Sequence, residues 1–197
     1  MKHITYLSAL AMSMLCATPL AQADEAFKVT TIKNGQFAPN TTWYTLTIGG
    51  NRVSSNKGAT YITLGGATDK GLENQWCVTG SATEGYKFYN RLDGATKPLI
   101  APTAMKGQNG GESYPILGEL KAGYTDTWEI STSAQGGYYI NEKGYEKNKM
   151  NNRNGRLAFW TGGADLGSSF VFSAVNASFT VDMTTLSLIH ISEPTRP

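Results

Sequence analysis

Carboxylates are spread through the central part of the chain, with Glu73, Asp93, Glu112, Asp126, Glu129, Glu142 and Asp165 among them. Two such groups flanking a glycosidic bond could serve as acid and base or nucleophile. No spacing among them singles out a pair, and several stand in turns where acids are ordinary. The other reactive side-chain types are scarce. Both histidines, His3 and His190, lie near the ends, and Cys77 is the only cysteine besides Cys16. A nucleophile–His–acid triad and a His-ligated zinc or iron site are therefore excluded from the central stretch. A single cysteine there forms neither an intrachain disulfide nor a thiolate cluster. Cys77 follows Trp76 in an alternating run and reads as a small buried hydrophobe. No metal and no cofactor are expected.

The stretch does offer flat rings beside amides. Tyr89, Tyr139, Tyr145 and Trp160 are the aromatics that alternation turns outward. Asn90 and Asn141 end strands next to turns, Asp93 stands in an Asp-Gly turn, and Asn152, Arg153 and Asn154 are close to Trp160. A sugar ring has an apolar C–H face and a polar rim, so an exposed ring beside amide and carboxylate groups suits it. The candidate ligand contacts are Asn90, Asp93, Asn141, Tyr89, Tyr139, Tyr145, Asn152 and Trp160. Each has a structural reading too: an Asn can hold its own turn, Asp-Gly is a common turn pair, and a half-buried ring can belong to the core.

A small recurring unit positions these residues. Trp76-Cys-Val is followed by Gly85-Tyr-Lys-Phe-Tyr-Asn90, Trp128-Glu-Ile by Gly137-Tyr-Tyr-Ile-Asn141, and Phe170-Val-Phe closes the series. The anchor aromatic and the Asn lie 14 and 13 residues apart in the first two copies, and the anchors are 52 and 42 residues apart. The second half of the unit appears alone near the start, as Trp43-Tyr-Thr-Leu-Thr-Ile48 before Gly49-Gly-Asn51. A pattern that begins with its second half and ends with its first reads as a ring of three units sharing one core. Trp76, Trp128 and Phe170 are then expected in a single shared centre.

Period-two alternation over Tyr44, Leu46 and Ile48 marks a half-buried strand, and short strands are also expected at Thr60–Leu64, Lys97–Ala101 and Arg156–Trp160. Pro98 belongs at a strand start or an edge. Asn34-Gly35 and Asp93-Gly94 are turns, and 106–114 is a glycine-rich polar loop. Ile116, Leu117 and Leu120 are expected to return to the core. The polar run Lys143–Arg153 reads as a long loop. No stretch carries an apolar 3.6-residue period over more than two turns, so the class is all-β.

The ends need separate accounts. A basic start, an apolar stretch and Ala21-Gln-Ala23 read as a secretory signal peptide over 1–23, cleaved before Asp24. The apolar run is too short to span a membrane, so no membrane insertion is expected after cleavage. The mature protein is expected to be secreted, periplasmic or on the cell surface. The last residues, LSLIHISEPTRP (186–197), look like a translated sequencing-library adapter and are set aside as a non-native tail. Native sequence is then expected to stop near Thr185, with 177–185 opening a linker to a missing downstream domain. Without Lys2, Arg196 and Glu193, the 17 basic and 15 acidic side chains become 15 and 14, interspersed, which gives nucleic acid little to bind. About 162 residues remain, enough for one domain with its own core.

Gln75-Trp76 with a Tyr-x-Phe-x-Asn strand a dozen residues on resembles the repeat of ricin-B-type β-trefoil lectins. WYTLTI, WCVTG, GYKFYN, NNRNGRLAFW (151–160) and GSSFVF (167–172) look like a trefoil-like N-terminal module of secreted bacterial glycan-degrading enzymes such as sialidases. The resemblance covers roughly Phe27 to Val175. It implies a β-trefoil of three pseudo-symmetric lobes over 24–176, an aromatic core, and ligand contact by Asn at the Asn90 and Asn141 positions. Only one copy keeps the Gln before the Trp, and the third anchor is Phe170, which puts sugar binding at every lobe in doubt. The expected function is a non-catalytic carbohydrate-binding module of a larger glycan-processing protein, its partners a glycan and a linked downstream catalytic domain. A ligand-free spacer or interaction domain is the alternative, and an enzyme in its own right ranks third.

Overall fold

Local chemistry decides the strands and their turns. A computed structural model describes residues 27–56, 61–65, 71–104, 114–161 and 165–175. The leader, the linker start, the adapter-like tail, Thr60 and 106–113 of the glycine-rich stretch lie outside the described residues.

Asn34 and Gly35 both take positive φ (51° and 71°), the two-residue turn that matches strand twist, and join β1 (Ile32–Lys33) to β2 (Gln36–Phe37). In β3 (Tyr44–Ile48) the alternate residues Tyr44, Leu46 and Ile48 are buried, as period two requires. Then come β4 (Asn51–Ser54) and β5 (Thr63–Gly65), paired with each other, and a short 3-10 turn at Leu72–Asn74. Strands β6 (Trp76–Ser81) and β7 (Gly85–Asn90) form a hairpin. Strand β8 (Leu99–Pro102) takes β9 (Ile116–Leu117) and β10 (Tyr124–Thr125) on its two sides. Pro98 stands at the start of β8, where its missing N–H costs no ladder bond. Then follow β11 (Trp128–Thr132), β12 (Tyr138–Glu142), β13 (Tyr145–Arg153), β14 (Arg156–Trp160) and, after a second 3-10 turn at Leu166–Ser168, β15 (Phe170–Ala174).

Six of these strands close on themselves in the order β3, β6, β7, β11, β12, β15 and back to β3. Each joint between hairpins sets a tyrosine opposite an anchor: Tyr44 faces Trp76, Tyr86 faces Trp128 and Tyr138 faces Phe170. The expectation of one shared centre holds. Trp76, Trp128 and Phe170 are all buried in one cluster with Phe88, Ile140, Met150 and Leu157. The indole N–H groups are satisfied inside it. Trp76 Nε1 donates to the Val53 carbonyl at 2.8 Å and Trp128 Nε1 to the Leu99 carbonyl at 3.1 Å. Phe170 has no such donor and needs no such acceptor.

Two expectations fail here. Lys143–Arg153 is not a long loop: after the turn at Gly144 it forms β13, a nine-residue strand laddered to β14 from Lys149–Trp160 to Arg153–Arg156. Its inward positions carry only one apolar residue, Met150, so the hydrophobic alternation is invisible in the letters. Asn148 and Asn151 are buried beside it, and the Asn151 amide donates to Ser168 Oγ at 2.9 Å. Leu120, expected in the core, is 54% exposed, while Ile116 and Leu117 are half-buried. The short β9 and β10 pair only with β8, and Leu120 lies in the link between them.

Cys77 is fully buried, and desolvation pushes its thiol up from 9.0 to about 12. A raised folded-state pKa means the native chain keeps a proton that the unfolded chain releases. The contribution is present in full below pH 9 and is lost as pH rises from there towards 12. Two results are expected: Cys77 resists alkylation at pH 8 until denaturant is added, and Cys77→Ala flattens the alkaline part of a stability–pH curve. Rapid labelling of the native chain would contradict the burial.

Candidate functional site

The register of β11, β12, β13 and β14 builds one polar row across four strands. Glu129 is opposite Asn141, Asn141 is opposite Lys149, and Lys149 is opposite Trp160. Directly opposed residues share a face, and the inward-facing neighbours Ile130, Ile140, Met150 and Phe159 are buried, so this row lies on the outside of the barrel. One carboxylate, one amide, one ammonium and one indole thus stand side by side. A depression of about 250 Å³ opens here, lined by Glu129, Ile130, Ser131, Asn141, Glu146 and Lys149.

The polar groups are held in place. The Asn141 amide donates to Glu129 Oε2 at 3.3 Å and to the Glu142 carbonyl at 3.0 Å. The Gly144 N–H also points at Glu129 Oε2, at 3.4 Å. The second Glu129 oxygen has no partner among the described residues. Lys149 Nζ donates to the Glu146 carbonyl at 3.3 Å and lies 5.1 Å from the centre of the Tyr139 ring. Tyr139 is opposite Ser131 in the neighbouring row, and its buried hydroxyl has no partner among the described residues. A preset acceptor, an amide, an ammonium and a ring beneath it can bind a polyhydroxylated ring by hydrogen bonds around an apolar face.

The residues nominated from sequence divide sharply. Asn141 and Trp160 are in the row, Asn141 itself buried; Tyr139 is beside the row, and Tyr145 is opposite Glu142 at the start of β13. Tyr145 and Trp160 are half-buried. Tyr139 is buried rather than outward and free, because the Lys149 side chain lies over it. Tyr89 is also buried: the β1–β2 hairpin covers this face, and Phe37 meets the Tyr89 ring edge-on at 6.1 Å. Desolvation there pushes the Tyr89 phenol up. Asn90, Asp93 and Asn152 are elsewhere. Asn90 is fully buried, its amide donating to the Glu73 carbonyl at 2.7 Å and its oxygen accepting from Leu92 N at 3.0 Å, so it holds a turn. Asp93 accepts from the Ser55 hydroxyl, and Asn152 caps the β13–β14 turn by accepting from Gly155 N at 3.2 Å.

The two repeat asparagines are not equivalent. Asn90 is opposite Trp76, but the residue opposite Trp128 is Glu142, and Asn141 is opposite Glu129. A spacing of 13 rather than 14 turns the second amide onto the outer face, since one residue flips a strand side chain. At the other two hairpins the places of Glu129 and Asn141 are held by Cys77 with Tyr89 and by Val171 with Thr47. In the letters Glu129 is one acid among several, and Lys149 lies in the polar run expected as a loop. The spacing of Glu129 from a turn-bounded Asn is too ordinary a signal to have found the row.

Four other acids serve local structure. Asp126 pairs with Lys87 at 2.6 Å, Asp165 caps a 3-10 turn by accepting from Gly167 N at 2.7 Å, Glu142 accepts from Ala104 N at 2.6 Å, and Glu73 accepts from the Asn74 amide at 3.4 Å. Glu112 lies outside the described residues. Among the described residues, no three His, Cys, Asp or Glu side chains gather as a metal site would need.

No protein-family model and no curated protein matches the chain. Solved structures do. One is a GlcNAcα1-4Gal-releasing endo-β-galactosidase from Clostridium perfringens, with TM-score 0.54 and 13% identity, covering 68% of this chain and 32% of that one. A designed 3-fold symmetric protein, ThreeFoil, gives TM-score 0.54 at 13% identity, over 68% of this chain and 99% of that one. A ricin B-like lectin from Macrolepiota procera, solved in complex with lactose, gives TM-score 0.50 at 12% identity, over 73% and 99%. The barrel is similar to the β-trefoil. At such identities the likeness is one of fold, shared with ricin B-like lectins, and the chain spans about a third of the endo-β-galactosidase. In this β-trefoil-like barrel the polar row lies on the outer face of one hairpin, beyond the shared core.

Proposed function

We propose that the chain is a three-lobed β-trefoil that binds glycan through the Glu129–Asn141–Lys149–Trp160 row and performs no chemistry on it. The observation that carries this reading is the single outward face on which a carboxylate, an amide, an ammonium and an aromatic ring stand together. Glu129 accepts from sugar hydroxyls with its unpartnered oxygen, Asn141 keeps that carboxylate oriented, and Trp160 supplies a flat edge for C–H groups. Lys149 covers Tyr139, so a ligand that draws the ammonium to its own oxygens uncovers a second ring. Binding at one hairpin rather than three follows from the Cys77–Tyr89 and Val171–Thr47 pairs, which offer no charged acceptor.

Two facts support the reading. The barrel shares its fold with a lactose-bound lectin and with one part of an endo-β-galactosidase, and Asp93, Asp126, Glu142 and Asp165 are engaged in local hydrogen bonds or an ion pair. By the same reading the module is exported behind its leader and works tethered to a glycan-processing domain downstream.

Affinity electrophoresis and glycan arrays, begun with galactose-containing saccharides, test it. Glu129→Gln keeps the shape and removes the charge of the acceptor. It is expected to weaken retardation about tenfold, the size of one hydrogen bond to a charged group. A chain retarded by no saccharide would leave only a spacer or interaction domain.

A further inference from the structure

The opposite end of the β13–β14 ribbon carries a second feature, which the row does not explain. Arg153 and Arg156 face each other across the turn formed by Asn154 and Gly155, both exposed. Like charges directly opposed on a sheet cost stability unless something between them supplies the counter-charge. Among the described residues neither guanidinium makes an ion pair or a hydrogen bond. Arg156 is nevertheless held. Its guanidinium lies 4.1 Å from the centre of the Tyr61 ring and 5.6 Å from that of Tyr114, and the two rings meet at 6.1 Å.

Held over the Tyr61 ring, the guanidinium keeps N–H groups that no described residue takes up, and such a fork can grip a carboxylate or sulfate with two parallel bonds. The Tyr61 and Tyr114 rings add apolar wall beside it. We propose that this hairpin end is a second binding site, selective for an oxyanion carried on a saccharide, that is, a uronate carboxylate or a sulfate ester. It is separate from the row at Trp160, four residues along the same strand and so roughly 13 Å away. An anion bridging Arg153 and Arg156 removes their repulsion, while the tyrosines hold Arg156 ready before it arrives.

Isothermal titration and two-dimensional NMR of the full chain decide the matter, with a trigalacturonate, the matching neutral galactose trisaccharide and sodium sulfate alone. The acidic trisaccharide is expected to bind at least about tenfold more tightly than the neutral one and to shift the Arg156 Nε–H and Tyr61 ring signals. Arg156→Gln is expected to abolish that preference and Arg153→Gln to reduce it. Arg156→Lys, which keeps charge but not the fork, should fall between wild type and Arg156→Gln. Glu129→Gln should leave the acid preference intact, so failure of the row and failure of this site read differently. Equal affinity for the acidic and neutral trisaccharides, or an unchanged preference in a folded Arg156→Gln chain, would overturn the proposal. Sulfate alone matching the acidic trisaccharide in affinity would overturn its saccharide part.

Discussion

Trp128→Ala is expected to lower the free energy of unfolding by about 4 kcal/mol, a large fraction of what holds a domain of this size together. Trp128 is completely buried, its ring stacked on Phe159 at 6.2 Å between centres. Truncation removes those contacts and leaves a cavity among backbone strands that cannot collapse to fill it. It also strands the Leu99 carbonyl, which loses the indole N–H at 3.1 Å. An orphaned buried acceptor by itself costs about 1–3 kcal/mol. Trp128→Phe separates the two effects, because it keeps a ring, as Phe170 does in its own unit, and gives up the hydrogen bond. Its cost should be about 1–3 kcal/mol, the cost of the orphaned acceptor, and below that of the alanine. Urea unfolding followed by circular dichroism reads both, and an alanine variant within about 1 kcal/mol of wild type would show that the anchors do not share a load-carrying core.

Gly137→Ala is the second large effect, and here the trouble is too much side chain. Gly137 has φ +76°, where an L-residue is strained, and an added Cβ would sit 2.2 Å from the Phe170 carbonyl oxygen. Both parties are backbone at the joint where Tyr138 meets Phe170, so no rotamer change relieves the overlap and the strands must part. A loss of about 3 kcal/mol is expected. The neighbour supplies the control. Gly136 has φ +84° but nothing within 4 Å of an added Cβ, so Gly136→Ala carries the conformational strain without the clash. It should cost about 1 kcal/mol. Equal losses at the two positions would mean that the joint is looser than the backbone spacing indicates.

Much of the architecture was legible in the residues alone. Tyr44, Leu46 and Ile48 announce a strand by their spacing, Asn34-Gly35 announces its hairpin, and the repeated aromatic anchors announce a ring with one centre. These signals are local, or they repeat, and either property survives in a string of letters. The site was legible only in fragments. Asn141, Tyr139, Tyr145 and Trp160 were nominated because rings and amides suit sugars, but so were Asn90, Asp93, Tyr89 and Asn152, which are elsewhere in the fold.

By itself, then, the sequence determined the all-β class, the turns and the anchors, because periodicity and turn preference act over a few residues. The tertiary structure decided which side chains share a face. A one-residue difference in spacing put Asn90 inward, opposite Trp76, and Asn141 outward, opposite Glu129. The first hairpin covered Tyr89, and pairing with β14 turned the polar run 145–153 into a strand, bringing Lys149 between Asn141 and Trp160. Register and covering segments are set by contacts between distant parts of the chain, and no short window of residues contains them.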